Sequence, residues 1–162
     1  MVRRVRSIRI PLLLSLVVLT PTLAQAQPNP RVGTWKLNLG RSKFDPGPPP
    51  KTQTRTYEAT ADGGQKVTVD GIDGHDNKVS YSVAAKFDGK DYAYSGTGAP
   101  GQTIALTRID DWTQEGAVKQ GGTTVMTVRN TVSKDGKTMT ITTKTTHSGA
   151  KPFINLQVFE KQ

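Results

Sequence analysis

The chain has no cysteine among its 162 residues. It therefore has no disulfide framework, no thiolate nucleophile and no thiolate metal ligand. Lipidation at a signal junction, which needs a cysteine, is excluded as well. Histidine is scarce: His75 and His147 are the only two, and both fall beside turn signals, where an exposed side chain is expected. There is no Gly-x-Ser-x-Gly elbow. The acidic stretch Asp70-Gly71-Ile72-Asp73-Gly74-His75-Asp76 lacks the residue order and the distal Glu of a calcium loop, and reads as a strand end followed by a hairpin. Asp110-Asp111 reads as a turn. No catalytic residue, metal ligand or cofactor is therefore expected. Aromatics make up 6% of the chain. The net charge of +9 is scattered rather than gathered into a basic run with interleaved aromatics, which argues against nucleic acid.

Long apolar runs are missing too, apart from Ile10 to Leu19, which is short of the roughly 20 residues that span a bilayer. Arg3, Arg4, Arg6 and Arg9 precede it, and Ala24-Gln25-Ala26 follows. This is the order of a secretory signal, with cleavage expected after Ala26. Residues 1–26 are thus read as a signal peptide and residues 27–162 as one domain. Removing the signal takes away four Arg and no acid, leaving a net charge of +5. The expected location is the periplasm or the exterior of a bacterial cell, without stable membrane insertion once the signal is cleaved.

Helix-period patterns are absent from Lys51 onward, and what is present is alternation. In Gly33-Thr34-Trp35-Lys36-Leu37-Asn38-Leu39 the large apolar residues fall on every second position. The same holds for Val79, Tyr81, Val83, Ala85 and Phe87, for Val67 and Val69, for Ile104 and Leu106, and for Met139 and Ile141. Turn signals punctuate the chain at Asp62-Gly63-Gly64, 74–77, Asp88-Gly89-Lys90, 96–101, Asp110-Asp111, Gly121-Gly122, Asp135-Gly136-Lys137 and 148–152. The prolines of 46–50 rule out helix and inner strand, so 41–50 reads as a stiff connection, either a rigid crossover or a cover for one barrel mouth. Each strand leads to the next through a short turn. The expected fold is all-β: an up-and-down antiparallel β-barrel of about ten strands, without lid helices.

Three segments resemble the calycins, the superfamily of lipocalins and fatty-acid-binding proteins. One is the Gly-x-Trp of residues 33–35, with Ser42-Lys43-Phe44-Asp45 downstream. Another is Val128-Arg129 with the hairpin from Lys134 to Thr142. The third is Gln157-Val158-Phe159-Glu160-Lys161. The resemblance implies a lipocalin-like barrel that takes a small ligand. Trp35 would be its floor, with Lys161 or Lys151 packed over the indole. Fatty-acid-binding proteins place two helices where this chain has its Pro-rich segment. They also hold the ligand carboxylate with an Arg-x-Tyr pair where this chain has Gln157 and Phe159. Their other interior Arg matches Arg129. The resemblance thus implies Arg129, Gln157, Phe159, Trp35 and Tyr81 as candidate ligand-binding residues.

Strand parity leaves the faces of two strands open. The family register turns Arg129 inward with Thr127 and Thr131, and Gln157 inward with Phe159. Burial of Met126, Val128 and Val132, and of Ile154, Leu156 and Val158, argues for the opposite phase in both strands. Tyr81, Phe87, Tyr92, Tyr94 and Trp112 either line a cavity or pack the core. The expected partner is a small hydrophobic or amphipathic ligand. The alternative is a structural or protein-interaction barrel with a filled core, offering the outward apolar residues of its last strands to a partner.

Overall fold

The computed structural model describes residues 29–146 and 154–162. The expected signal segment, His147, Lys151 and the turn at 148–152 lie outside the described residues. Among the described residues no helix is long and apolar enough to cross a membrane.

Among the described residues eleven strands form one antiparallel sheet: β1 (Gly33–Leu37), β2 (Thr52–Ala59), β3 (Gln65–Ile72), β4 (Lys78–Ala85), β5 (Asp91–Ala93), β6 (Ser95–Gly96), β7 (Gln102–Arg108), β8 (Thr113–Gln120), β9 (Thr123–Val132), β10 (Thr138–Thr145) and β11 (Ile154–Lys161). Their spatial order is β5-β7-β8-β9-β10-β11-β1-β2-β3-β4-β6. The two ends of this sheet are consecutive in the chain. β5 pairs with β7 and β6 pairs with β4, so one ribbon changes partners at Tyr94 and brings the sheet round on itself. With that ribbon counted once, the molecule is the ten-stranded, nearly closed up-and-down barrel that the alternation and turn spacing predict. Closure leaves little unpaired edge.

The first strand is the keystone. β1 lies between β2 and β11, with Trp35 opposite Arg55 on one side and Lys161 on the other. Trp35 is fully buried at one end of the barrel, where its Nε1 donates to the Arg31 carbonyl at 2.8 Å. Lys161 covers the indole face, its Nζ 5.2 Å from the ring centroid, as the resemblance implies. Gly33 has φ +128°, and a Cβ there would meet Lys161 Cε at 3.0 Å. The glycine of Gly-x-Trp thus serves both a backbone conformation closed to other residues and the passage of the lysine stem.

The two open faces resolve in opposite directions. In β9, Asn130 stands opposite Gln114 and Ile141, all three buried, while Arg129 stands opposite the exposed Glu115. Val128, Asn130 and Val132 therefore face inward and Arg129 outward, as burial dictates. In β11, Phe159 pairs with Met139 and Leu37, and both Phe159 and Met139 are fully buried, so Gln157 and Phe159 take the inner face. Their outward neighbours are not left wet. The segment after β1, including a 3-10 turn at Leu39–Arg41, folds over them. Asn38 N donates to the Val158 carbonyl at 2.8 Å, and Lys43 forms a bridge with Leu156. Val158 is buried in consequence, and Ile154 is the exposed large apolar side chain of this strand. The outward apolar face that a filled-barrel protein would offer to a partner is thus largely covered by the chain itself.

The Pro-rich connection continues round the barrel rather than across it. A Cβ on Gly74 would lie 2.6 Å from Pro48 Cγ, so that turn packs tightly on the prolines, and Lys51 pairs with Asp76 beside it. We predict that Gly33→Ala lowers unfolding free energy by about 1–3 kcal/mol in urea titration. An unchanged midpoint would contradict the role assigned to this glycine.

Candidate functional site

Tight turns and strict alternation leave a barrel whose inner face is not wholly apolar. Val67 and Val69 of β3, Val83 of β4, Ile104 and Leu106 of β7 and Val118 of β8 supply a hydrocarbon wall. In phase with them stand Arg55 and Tyr57 of β2, Gln65 of β3, Tyr81 of β4, Gln114 of β8 and Asn130 of β9. Together they enclose a cavity of about 100 Å³. That is less than the roughly 150 Å³ of an engineered cavity that takes benzene. It suits a small organic molecule or a few waters, not a long acyl chain.

Arg55 is the centre of the site. It stands on the inner face opposite Trp35 and Val69 and lines the cavity. Its guanidinium carbon lies 5.3 Å from the centroid of Phe159, a cation held over an aromatic face. Nε donates to Gln53 Oε1 at 3.4 Å. Among the described residues no carboxylate forms an ion pair with it. Glu115, which borders the cavity from β8, is half-exposed and paired with Arg129 on the outside. Burial, the largest influence, lowers the guanidinium pKa; charge interactions with Tyr81, Tyr57 and Tyr94 and a hydrogen bond to Tyr57 outweigh it, so the pKa stands above its usual value. Arg55 is charged at every working pH.

The tyrosines are shaped by the same environment. Tyr57 accepts a hydrogen bond from Asn130 Nδ2 at 3.0 Å. Burial raises its pKa, and the Arg55 charge opposes part of that rise. Tyr94, at the point where the closing ribbon changes partners, meets Tyr81 edge-to-face with centroids 5.7 Å apart. Burial raises the Tyr94 pKa strongly. Gly98 presses on the far side of Tyr81, where a Cβ would come within 2.3 Å of Cδ1, so the 97–101 loop fixes that ring.

Of the residues expected from sequence, Tyr81 lines the cavity. Phe159 lies behind it as the platform under Arg55, and Trp35 is the floor beyond. Gln157 is half-buried on the inner face but is not among the lining residues. The inward orientation expected for Arg129 is corrected: it is exposed and paired with Glu115, because the apolar residues of β9 claim the interior phase. The interior cation is Arg55 instead. Its signal was readable, since Gln53, Arg55 and Tyr57 share one parity of β2, and Tyr57 is that strand's one large ring.

A second arginine closes the floor. Arg31 is fully buried, its Nη1 donating to the Asp111 carbonyl at 3.2 Å. Burial, its dominant influence, brings its pKa down to about 10.

The geometry defines a nearly closed up-and-down β-barrel with a small amphipathic interior. No protein-family model matches the chain, and no curated protein matches it in sequence. Among solved structures the chain is similar to the wild-type fluorescent protein UnaG, with a TM-score of 0.57 at 14% identity. The likeness covers 81% of this chain and 96% of that one, and it bears on the fold.

A pH dependence follows from the tyrosines. A phenol whose pKa is raised by folding stays protonated in the native state while the unfolded chain ionises near pH 10. The stability it contributes is therefore complete below pH 10 and is lost as pH rises through the folded-state value. Tyr94→Phe is expected to flatten the alkaline fall in melting temperature between pH 9 and 11. An identical alkaline limb in the variant would contradict the burial of this hydroxyl.

Proposed function

We propose that this protein is exported and reversibly buries a small, partly apolar anion in its barrel, with Arg55 as the anchoring cation. The observation that carries the reading is a charged guanidinium on the wall of a cavity, without an ion-paired carboxylate among the described residues. A buried cation is costly to leave uncompensated, and a carboxylate accepting from a guanidinium in a partly dry site makes a strong charge-assisted pair. Tyr81 and Tyr94 offer hydroxyls beside it, and the valines, Ile104 and Leu106 accept the apolar body of the ligand. The calycin-like fold is compatible with this use. Support for export is the order of basic residues, apolar run and small-x-small site in residues 1–26.

The competing reading, a filled structural barrel, draws on the small volume of the cavity, which a few waters would occupy. Isothermal titration with short aliphatic and aromatic carboxylates separates the two. Arg55→Met is expected to weaken carboxylate binding at least tenfold, whereas Arg129→Met leaves it unchanged. Carboxylate binding that is insensitive to Arg55, or lost with Arg129, would sink the assignment. An absence of binding by any acid in the series would favour the filled barrel.

A further inference from the structure

The wall of the cavity carries more polarity than an anion-binding site requires. Gln65 is 2% exposed, Gln114 5% and Asn130 3%, on three different strands, and all three line the same space. The side-chain carbonyl oxygens of all three are buried without a hydrogen-bond donor. A buried, unsatisfied polar atom is uncommon in native proteins and costs about 1–3 kcal/mol. Three around one cavity are hard to reconcile with a barrel selected only for packing.

Their placement is specific. Asn130 and Gln114 face each other across the β8–β9 ladder. Asn130 Nδ2 donates to the Tyr57 hydroxyl at 3.0 Å and to Met139 Sδ at 3.0 Å. Tyr57 is the next inward residue of β2 after Arg55, and both line the cavity. Gln65 lies one inward position along β3 from Val67, the residue directly opposite Tyr57. The amides therefore sit next to the cationic anchor, separated from it by one phenol. Turning the Asn130 amide over would let Oδ1 accept from Tyr57, but it would point the NH₂ where the orphan oxygen was. In either orientation one end of the buried amide is left without a partner.

Resting on the reading of Arg55 as an anion anchor, we propose that the ligand is a small hydroxy-carboxylic acid. Its carboxylate meets Arg55 and its hydroxyl engages the amide cluster of Gln65, Gln114 and Asn130. A hydroxyl is the group that suits this cluster, because it donates to an orphan carbonyl oxygen and accepts from an amide NH₂. Sites built to hydrogen-bond a hydroxyl discriminate strongly against the analogue that lacks it, since the buried partners are then left unpaired.

The test compares propanoate with 2-hydroxypropanoate and 3-hydroxypropanoate, acids small enough for the cavity, by isothermal titration against the intact protein. At least one hydroxy acid is expected to bind tenfold or more tightly than propanoate. In Gln65→Met and Gln114→Met that preference falls to less than twofold. Melting temperature supplies a second readout: each substitution removes an unsatisfied buried oxygen, so the ligand-free variants are expected to melt no lower than wild type. Equal affinity of wild type for all three acids overturns the hydroxyl assignment and leaves the anchor intact, the amides then being served by buried water. Failure of every acid to bind overturns the anchor as well. A fall of several degrees in the ligand-free melting temperature of both variants would assign the amides to the fold rather than to a ligand.

Discussion

The interior depends on one constraint: β1 must lie hydrogen-bonded between β2 and β11, so that the residues just before β1 and the end of β11 meet over Trp35. That placement buries the indole, aligns its Nε1 with the Arg31 carbonyl and draws Lys161 across its face. It also fixes the phase of both neighbouring strands. With Trp35 inside, its register partner Arg55 is inside, and with Leu37 inside, Phe159 is inside. The cation and the aromatic platform beneath it are thus consequences of barrel closure. They meet because the first strand brings their strands together, although they are far apart in sequence.

Closure also explains how a charge is tolerated there. The guanidinium disperses its charge over a planar, weakly hydrated group, and it rests on Phe159 with three tyrosine hydroxyls around it. This surrounding is polar without being acidic, which keeps the cation ionised but leaves it able to attract an anion. A carboxylate in the same position would have neutralised the site. The one that borders it, Glu115, is turned outward by strand alternation and paired with Arg129. Exterior and interior electrostatics are separated by the two-residue period of β8 and β9.

Much of this was legible in the sequence. Alternation and turn chemistry gave the strand number, because turn residues such as Asp62-Gly63 and Asp135-Gly136 need conformations that few other residues adopt. Gly33, Trp35 and Lys161 announced the floor. The faces of β9 and β11 were not legible, because the competing cues were local and the answer was not. Val158 faces outward yet is buried, a fact that depends on the return of residues 38–43 over β11. Arg55 was missed because β2 has no continuous apolar face: Thr52, Thr54 and Thr56 alternate with Gln53, Arg55 and Tyr57. A polar residue in phase with a ring or with valines is the pattern that marks Arg55, Gln65, Gln114 and Asn130 alike.

The central claim is that a charged Arg55 inside the barrel receives an anion. Arginine side-chain NMR tests it most directly, following the Arg55 Nε–H resonance, assigned by its loss in Arg55→Met, as propanoate is added. The account predicts a resonance protected from solvent exchange that moves saturably downfield as the carboxylate pairs with the guanidinium. An Arg55 signal that exchanges freely with water and does not move, while other residues respond to propanoate, would contradict it.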